Sequence, residues 1–169
     1  MAKKEKRPEY GVILDTSFII RLLDRNSPLH QNAIDYFRYF LNNHIPLYFS
    51  TISVAEYCVK GDFKDLPFNN IRILPFNIFH AKEAGVFTRI LFNAKKKGEL
   101  IVKERVVVPN DSKIIAQGSY ERDIQYFVTS DSESLKFIEI LRKEGVTDIE
   151  HLDIHIPCGV KFGYLEMEE

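Results

Sequence analysis

Two kinds of segment alternate along the chain. Short runs that are mostly apolar, Tyr10 to Leu14, Pro46 to Phe49, Ile71 to Leu74 and Gln125 to Thr129, read as strands buried on both faces. Between them, apolar residues recur at helical spacing. Phe18 to Leu23 predicts a short helix. Pro28 opens a longer one with a core stripe of Ala33, Ile34, Phe37, Phe40 and Leu41, and a third runs from about Ser53 to Lys60, closed by Gly61. Phe79 to Ala94 is amphipathic, with Ala84, Phe87, Leu91 and Ala94 on one face. Asp111 to about Tyr120 and Asp131 to Lys143 predict two more helices, and Ile149 to Ile156 a last strand. The stretch "KKKGELIVKERVVVPND", residues 95–111, mixes positive charge with β-branched residues and reads as a loop carrying a short strand or hairpin. No repeat or low-complexity segment interrupts this order.

Strands separated by helices predict an α/β fold of three layers, a central mostly parallel sheet flanked by helices. In such sheets the functional site lies beyond the carboxyl ends of the strands. The residues just after each strand are therefore the ones to inspect.

Composition narrows the choice. A chain of 169 residues fits one domain with a proper core. Its apolar share of 45% and charged share of 28% are ordinary for a globular protein. A net charge of −1 argues against wholesale nucleic-acid binding, so any such contact needs a local patch. Cys58 and Cys158 share no metal or disulfide pattern and read as reduced thiols of a cytoplasmic protein. The basic start, MAKKEKRPEY, leads into an apolar stretch broken by Asp15, Arg21 and Asp24, which is not a signal peptide, and no segment is long enough to span a bilayer.

Four acids follow the strands: Asp15, Glu56, Asp111 and Asp131. Each has an ordinary explanation. Asp15 and Asp111 fit helix N-caps, while Ser53 to Glu56 and Ser130 to Glu133 have the spacing of capping boxes. Their conjunction says more. The parallel-sheet rule sends all four to one sheet edge, where carboxylates coexist only if some are protonated or a cation neutralises them. Hard oxygen donors of this kind suit Mg²⁺ or Mn²⁺, which can align water and leaving oxygen at a phosphodiester. Other chemistries lack their residues. No Gly-rich turn follows strand one, no P-loop exists, and Ser17 stands where an aspartyl-phosphate phosphatase would carry its second acid. His151 and His155 lie in an extended stretch and read as surface or edge residues, and the five histidines share no zinc spacing with the cysteines.

The pieces "ILDTSFII" (13–20), "SVAEYCVKG" (53–61), "PNDSKIIAQ" (109–117) and "FVTSDSES" (127–134) occur in the order found in a known family. On them the chain resembles the PIN-domain ribonucleases, the fold of many toxins of toxin–antitoxin pairs. The resemblance implies a PIN domain over residues 9–156, between a basic arm, 1–8, and a C-terminal tail, 157–169. It also implies an endoribonuclease that uses Mg²⁺ or Mn²⁺. Asp15, Glu56, Asp111 and Asp131 would be its catalytic and metal-binding quartet, with Asp15 and Asp111 the direct ligands and Glu56 and Asp131 often acting through water. Thr16, Ser17 and Thr129 would be supporting hydroxyls. The implied partners are an RNA substrate and, on the early helices, an antitoxin or a second protomer. The alternatives are a non-catalytic PIN module and an RNA-maturation nuclease. The chain departs from the pattern at Gln117, where a small residue is common, and at Glu133-Ser134, where many relatives carry Asp-Phe.

Lys95, Lys96, Lys97, Lys103 and Arg105 lie just upstream of Asp111. They read either as a solvated loop or as a lip that steers phosphates to an acidic site. In "YFRYF", residues 36–40, the predicted stripe claims Phe37 and Phe40 and leaves Tyr36 and Tyr39 for other contacts.

Overall fold

A computed structural model of the chain describes residues 10–101 and 108–163. Five strands, β1 (Gly11–Leu14), β2 (Leu47–Ser50), β3 (Arg72–Leu74), β4 (Ile124–Thr129) and β5 (Glu150–Asp153), form one sheet in the order β3-β2-β1-β4-β5. Every pairing is parallel. The helices are α1 (Thr16–Leu23), α2 (His30–Asn42), α3 (Thr51–Tyr57), α4 (Ile78–Lys96), α5 (Val108–Tyr120), α6 (Ser132–Lys143) and α7 (Cys158–Phe162).

β1 lies at the centre because all four of its residues are buried. Its period-two alternation divides the core. Val12 and Leu14 join Phe18, Ile19, Leu22, Ala33, Tyr36 and Phe40 on the face covered by α1 and α2. Ile13 joins Phe87, Leu91, Ile114, Ile115, Phe137 and Ile138 on the face covered by α4, α5 and α6. Burial of that many aliphatic and aromatic side chains on both faces is what makes the parallel arrangement favourable.

α4 and α5 form an antiparallel pair. His80 of α4 meets Glu121, just after α5, while Thr88 bonds Ser112 near the start of α5. α5 also comes very close to the sheet. A Cβ on Gly118 would sit 2.8 Å from Ile13 Cγ2 and 2.9 Å from Ile149 Cδ1.

Several expectations shift. The core stripe of α2 is Ala33, Tyr36 and Phe40, not Ile34, Phe37 and Leu41, which are only partly buried. Tyr36 is fully buried because its hydroxyl donates to the Ile156 carbonyl at 3.0 Å, and Tyr39 stacks on Phe162 with ring centroids 4.1 Å apart. α3 begins at Thr51 with Ser50 as its N-cap, so Ser53 is a buried residue within the helix and caps nothing. The cap of α6 is Asp131, not Ser130. α4 runs on to Lys96 and α5 already begins at Val108, so Asp111 lies in the first turn instead of capping it, while the strand or hairpin expected between them falls largely on residues 102–107, outside the described ones. The weakly patterned stretch after Ile156 contains α7, which adds Cys158 and Phe162 to the α2 side of the core. Cys58 is exposed and forms no disulfide with the buried Cys158.

Candidate active site

Asp15 ends β1 and caps α1. Its backbone amide donates to the Val128 carbonyl, which pins it beside β4. The side chain is 5% exposed, and both oxygens are supplied with donors. Oδ1 accepts from the Thr16 amide at 2.8 Å. Oδ2 accepts from Ser17 Oγ at 2.6 Å and Thr129 Oγ1 at 2.8 Å. Each hydroxyl is itself backed by a backbone amide: Ser130 N donates to Ser17 Oγ and Asp131 N to Thr129 Oγ1. Two main-chain dipoles thus reach the carboxylate through two hydroxyl relays. Burial raises the Asp15 carboxyl above the usual carboxylate range, and the donors from Ser17, Thr129 and Thr16 pull the other way.

Glu56, in the last turn of α3, reaches back to the same edge. Its Oε2 accepts from Thr16 Oγ1 at 2.5 Å and its Oε1 from Asn110 Nδ2 at 2.9 Å. Asp131 caps α6, its Oδ1 accepting from the Glu133 amide at 2.8 Å. Asp111 Oδ2 accepts from Ser134 Oγ at 3.2 Å. The Asp111 carboxyl is pushed up to about 7, first by burial and then by the charges of Asp15, Asp131 and Glu56, against the Ser134 hydrogen bond.

The four acids drawn from the sequence therefore share one electrostatic neighbourhood. Of the three hydroxyls, Thr16 serves Glu56, while Ser17 and Thr129 serve Asp15. Asn110 and Ser134 bond to the acids but were not singled out as site residues. Asn110 hides in a Pro-Asn-Asp string that reads as turn, and Ser134 in an apparent departure from a motif. Lys95 and Lys96 form the last turn of α4, Lys97 is its C-cap, and all three are exposed. Lys103 and Arg105 lie outside the described residues.

The donors are carboxylate oxygens, the kind hard divalent cations prefer. Among the described residues, no three His, Cys, Asp or Glu side chains converge as a ready metal cage. The uncompensated charge around Asp111 fits a cation.

No protein-family model matches the chain, and no curated protein matches it. Its fold is the PIN-like α/β fold. Solved structures that share it include the following three. VapBC2 from Rickettsia felis, bound to a DNA fragment from their promoter, is 18% identical over 84% of this chain and 98% of that one, with a TM-score of 0.53. DNA-bound VapBC from Salmonella typhimurium is 17% identical, covering 86% and 98%, with a TM-score of 0.52. VapC20 from Mycobacterium tuberculosis, a Sarcin-Ricin loop cleaving toxin, is 13% identical, covering 83% and 99%, with a TM-score of 0.51. Among the described residues, no helix is long and apolar enough to cross a membrane.

Proposed function

We propose that this protein is a PIN-family endoribonuclease that hydrolyses RNA phosphodiester bonds with Mg²⁺ or Mn²⁺, acting as the toxin of a toxin–antitoxin pair. The observation that carries this reading is the convergence of charge from Asp15, Glu56 and Asp131 on the buried Asp111. Its likeness in fold to a toxin that cleaves the Sarcin-Ricin loop supports it.

Asp15 and Asp111 would hold the cation directly, and Glu56 and Asp131 through its water. Bound there, the cation supplies charge neutralisation for the phosphodiester and a polarised attacking water. Ser17 and Thr129 keep Asp15 oriented and favour its charged form against the burial that raises its pKa. Thr16 fixes one oxygen of Glu56. Ser134 orients Asp111, whose carboxyl must lose its proton near neutrality before it can act as a ligand.

Lys95, Lys96 and Lys97 are exposed at the C-terminal end of α4, where Lys97 shares a small cavity with Glu144 at the end of α6 remote from Asp131, so a phosphate-steering role for them rests on their charge alone. An open groove of about 1210 Å³ lies beside Thr16 and Glu56, lined by Ile20, Leu23, Tyr57 and Val59. We assign it to the antitoxin, since α1 contributes to it and Ile20 and Val59 are exposed there.

The test is cleavage of RNA by the parent, Asp15→Asn and Asp111→Asn in Mn²⁺. The parent is expected to cut and both variants to lose at least a hundredfold in rate. Full activity in either variant would remove that residue from the site. A parent that binds RNA in Mn²⁺ and leaves it intact would be a non-catalytic module.

A further inference from the structure

Thr16 follows Asp15 in sequence, and Asn110 precedes Asp111. Both donate to one carboxylate, that of Glu56: Thr16 Oγ1 to Oε2 at 2.5 Å and Asn110 Nδ2 to Oε1 at 2.9 Å. The first turn of α1 and the first turn of α5 are thereby joined through a side chain of α3. No backbone ladder makes this connection, because α1 and α5 belong to opposite faces of the sheet.

The chemistry of Asn110 suits the task. A carboxylate only accepts hydrogen bonds and an ammonium only donates them. With Glu56 on one side and Lys113 Nζ at 3.5 Å from Oδ1 on the other, the amide has one favourable orientation, its NH₂ towards Glu56. A lysine or arginine in its place would neutralise Glu56. The neutral amide fixes the carboxylate and leaves its charge available.

We propose that Asn110 is a positioning residue: with Thr16 it grips both oxygens of Glu56, and this three-residue clamp sets how Asp15 and Asp111 are presented to a divalent cation. The proposal rests on the metal-dependent reading above and adds to it a residue that need touch neither metal nor RNA. Outer residues that orient ligands typically change metal affinity by roughly 10- to 100-fold. Asn110 should act in the same way.

The experiment measures Mn²⁺ binding to the full chain by the electron-paramagnetic-resonance signal of free Mn²⁺. The parent, Asn110→Ala, Glu56→Ala and the double variant are compared, with metal-free melting curves for each. Asn110→Ala is expected to bind Mn²⁺ roughly tenfold more weakly. The double variant should bind no more weakly than Glu56→Ala, because two residues acting through one contact are not additive. In cleavage, Asn110→Ala should lose kcat at limiting Mn²⁺ while KM for RNA holds.

Additive losses in the double variant, or parental Mn²⁺ affinity in Asn110→Ala, would overturn the clamp. So would loss of the metal-free fold in Asn110→Ala but not in Glu56→Ala. A parent that binds Mn²⁺ but cuts no RNA would remove the ribonuclease reading and leave the clamp to be decided by the binding cycle alone. A parent that binds no Mn²⁺ would remove both.

Discussion

Asp111 is a carboxylic acid held near neutrality by its surroundings, and that has a definite sign in stability. Its folded-state value is raised to about 7, whereas an unfolded aspartate titrates near ~3.9. Below the unfolded value both states carry the proton. Between the two values the folded state keeps a proton that the unfolded chain has released, so stability falls as pH rises, by up to about 1.4 kcal/mol per pH unit. Above about 7 this contribution levels off. Metal-free protein should therefore melt at progressively lower temperature as pH is raised from about 4 to 7, beyond any trend in Asp111→Asn. Asp111→Asn should also melt higher than the parent at pH 7.5. Calorimetric melts of the two proteins across that range check it, and identical pH profiles would mean that Asp111 is not the group responsible. Asp15 contributes in the same direction through burial, with its donors from Ser17, Thr129 and Thr16 working against it.

At the scale of elements, α5 matters most because it delivers Asn110 and Asp111 to the sheet edge. Gly118 permits its approach: an added methyl would overlap Ile13 and Ile149, both core side chains with little room to yield. Gly118→Ala would gain about 1 kcal/mol from helix propensity. Overpacking a dense core costs about 1–3 kcal/mol, so the net expectation is destabilisation by up to about 2 kcal/mol, read as a lower urea midpoint with an unchanged m-value. A more stable variant would show that α5 can move out without cost.

The elements also show what can be read from sequence and what cannot. β1 stands out because all four of its residues are buried, and β4 through its buried end, Phe127 to Thr129, although Gln125 is exposed. The order of strands and helices follows, and with it the sheet edge where the acids gather. Caps are harder, since Ser50 and Ser53 look alike in sequence and are equally buried; what separates them is the extended backbone of Ser50 at the end of β2, from which its hydroxyl accepts the Ile52 amide. The pattern misplaces the stripe of α2 because a tyrosine counts as half polar until a partner for its hydroxyl is known. For Tyr36 that partner is Ile156, 120 residues away. The bond from Asn110 to Glu56 spans 54 residues, and no local pattern carries it.

Across the whole molecule, the four acids come from nearly the full length of the domain: Asp15 after β1, Glu56 after β2, Asp111 in α5 and Asp131 after β4. Their repulsion does not exist until these segments have been brought together, which happens late in assembly of a parallel sheet built from distant segments. Contacts absent from the folding transition state change the unfolding rate and leave the folding rate nearly untouched. The acidic edge is therefore a matter of lifetime. Relieving it should slow the escape of the folded chain without hastening its formation. Stopped-flow measurements on metal-free parent and Asp111→Asn at pH 7.5 are expected to give matching refolding limbs and a slower unfolding limb for the variant. If the gain appeared in refolding instead, the acids would already be neighbours at the barrier. Otherwise the metal-free protein's persistence at neutral pH is governed by how often this edge springs open, and a cation bound there would act as a latch on that motion.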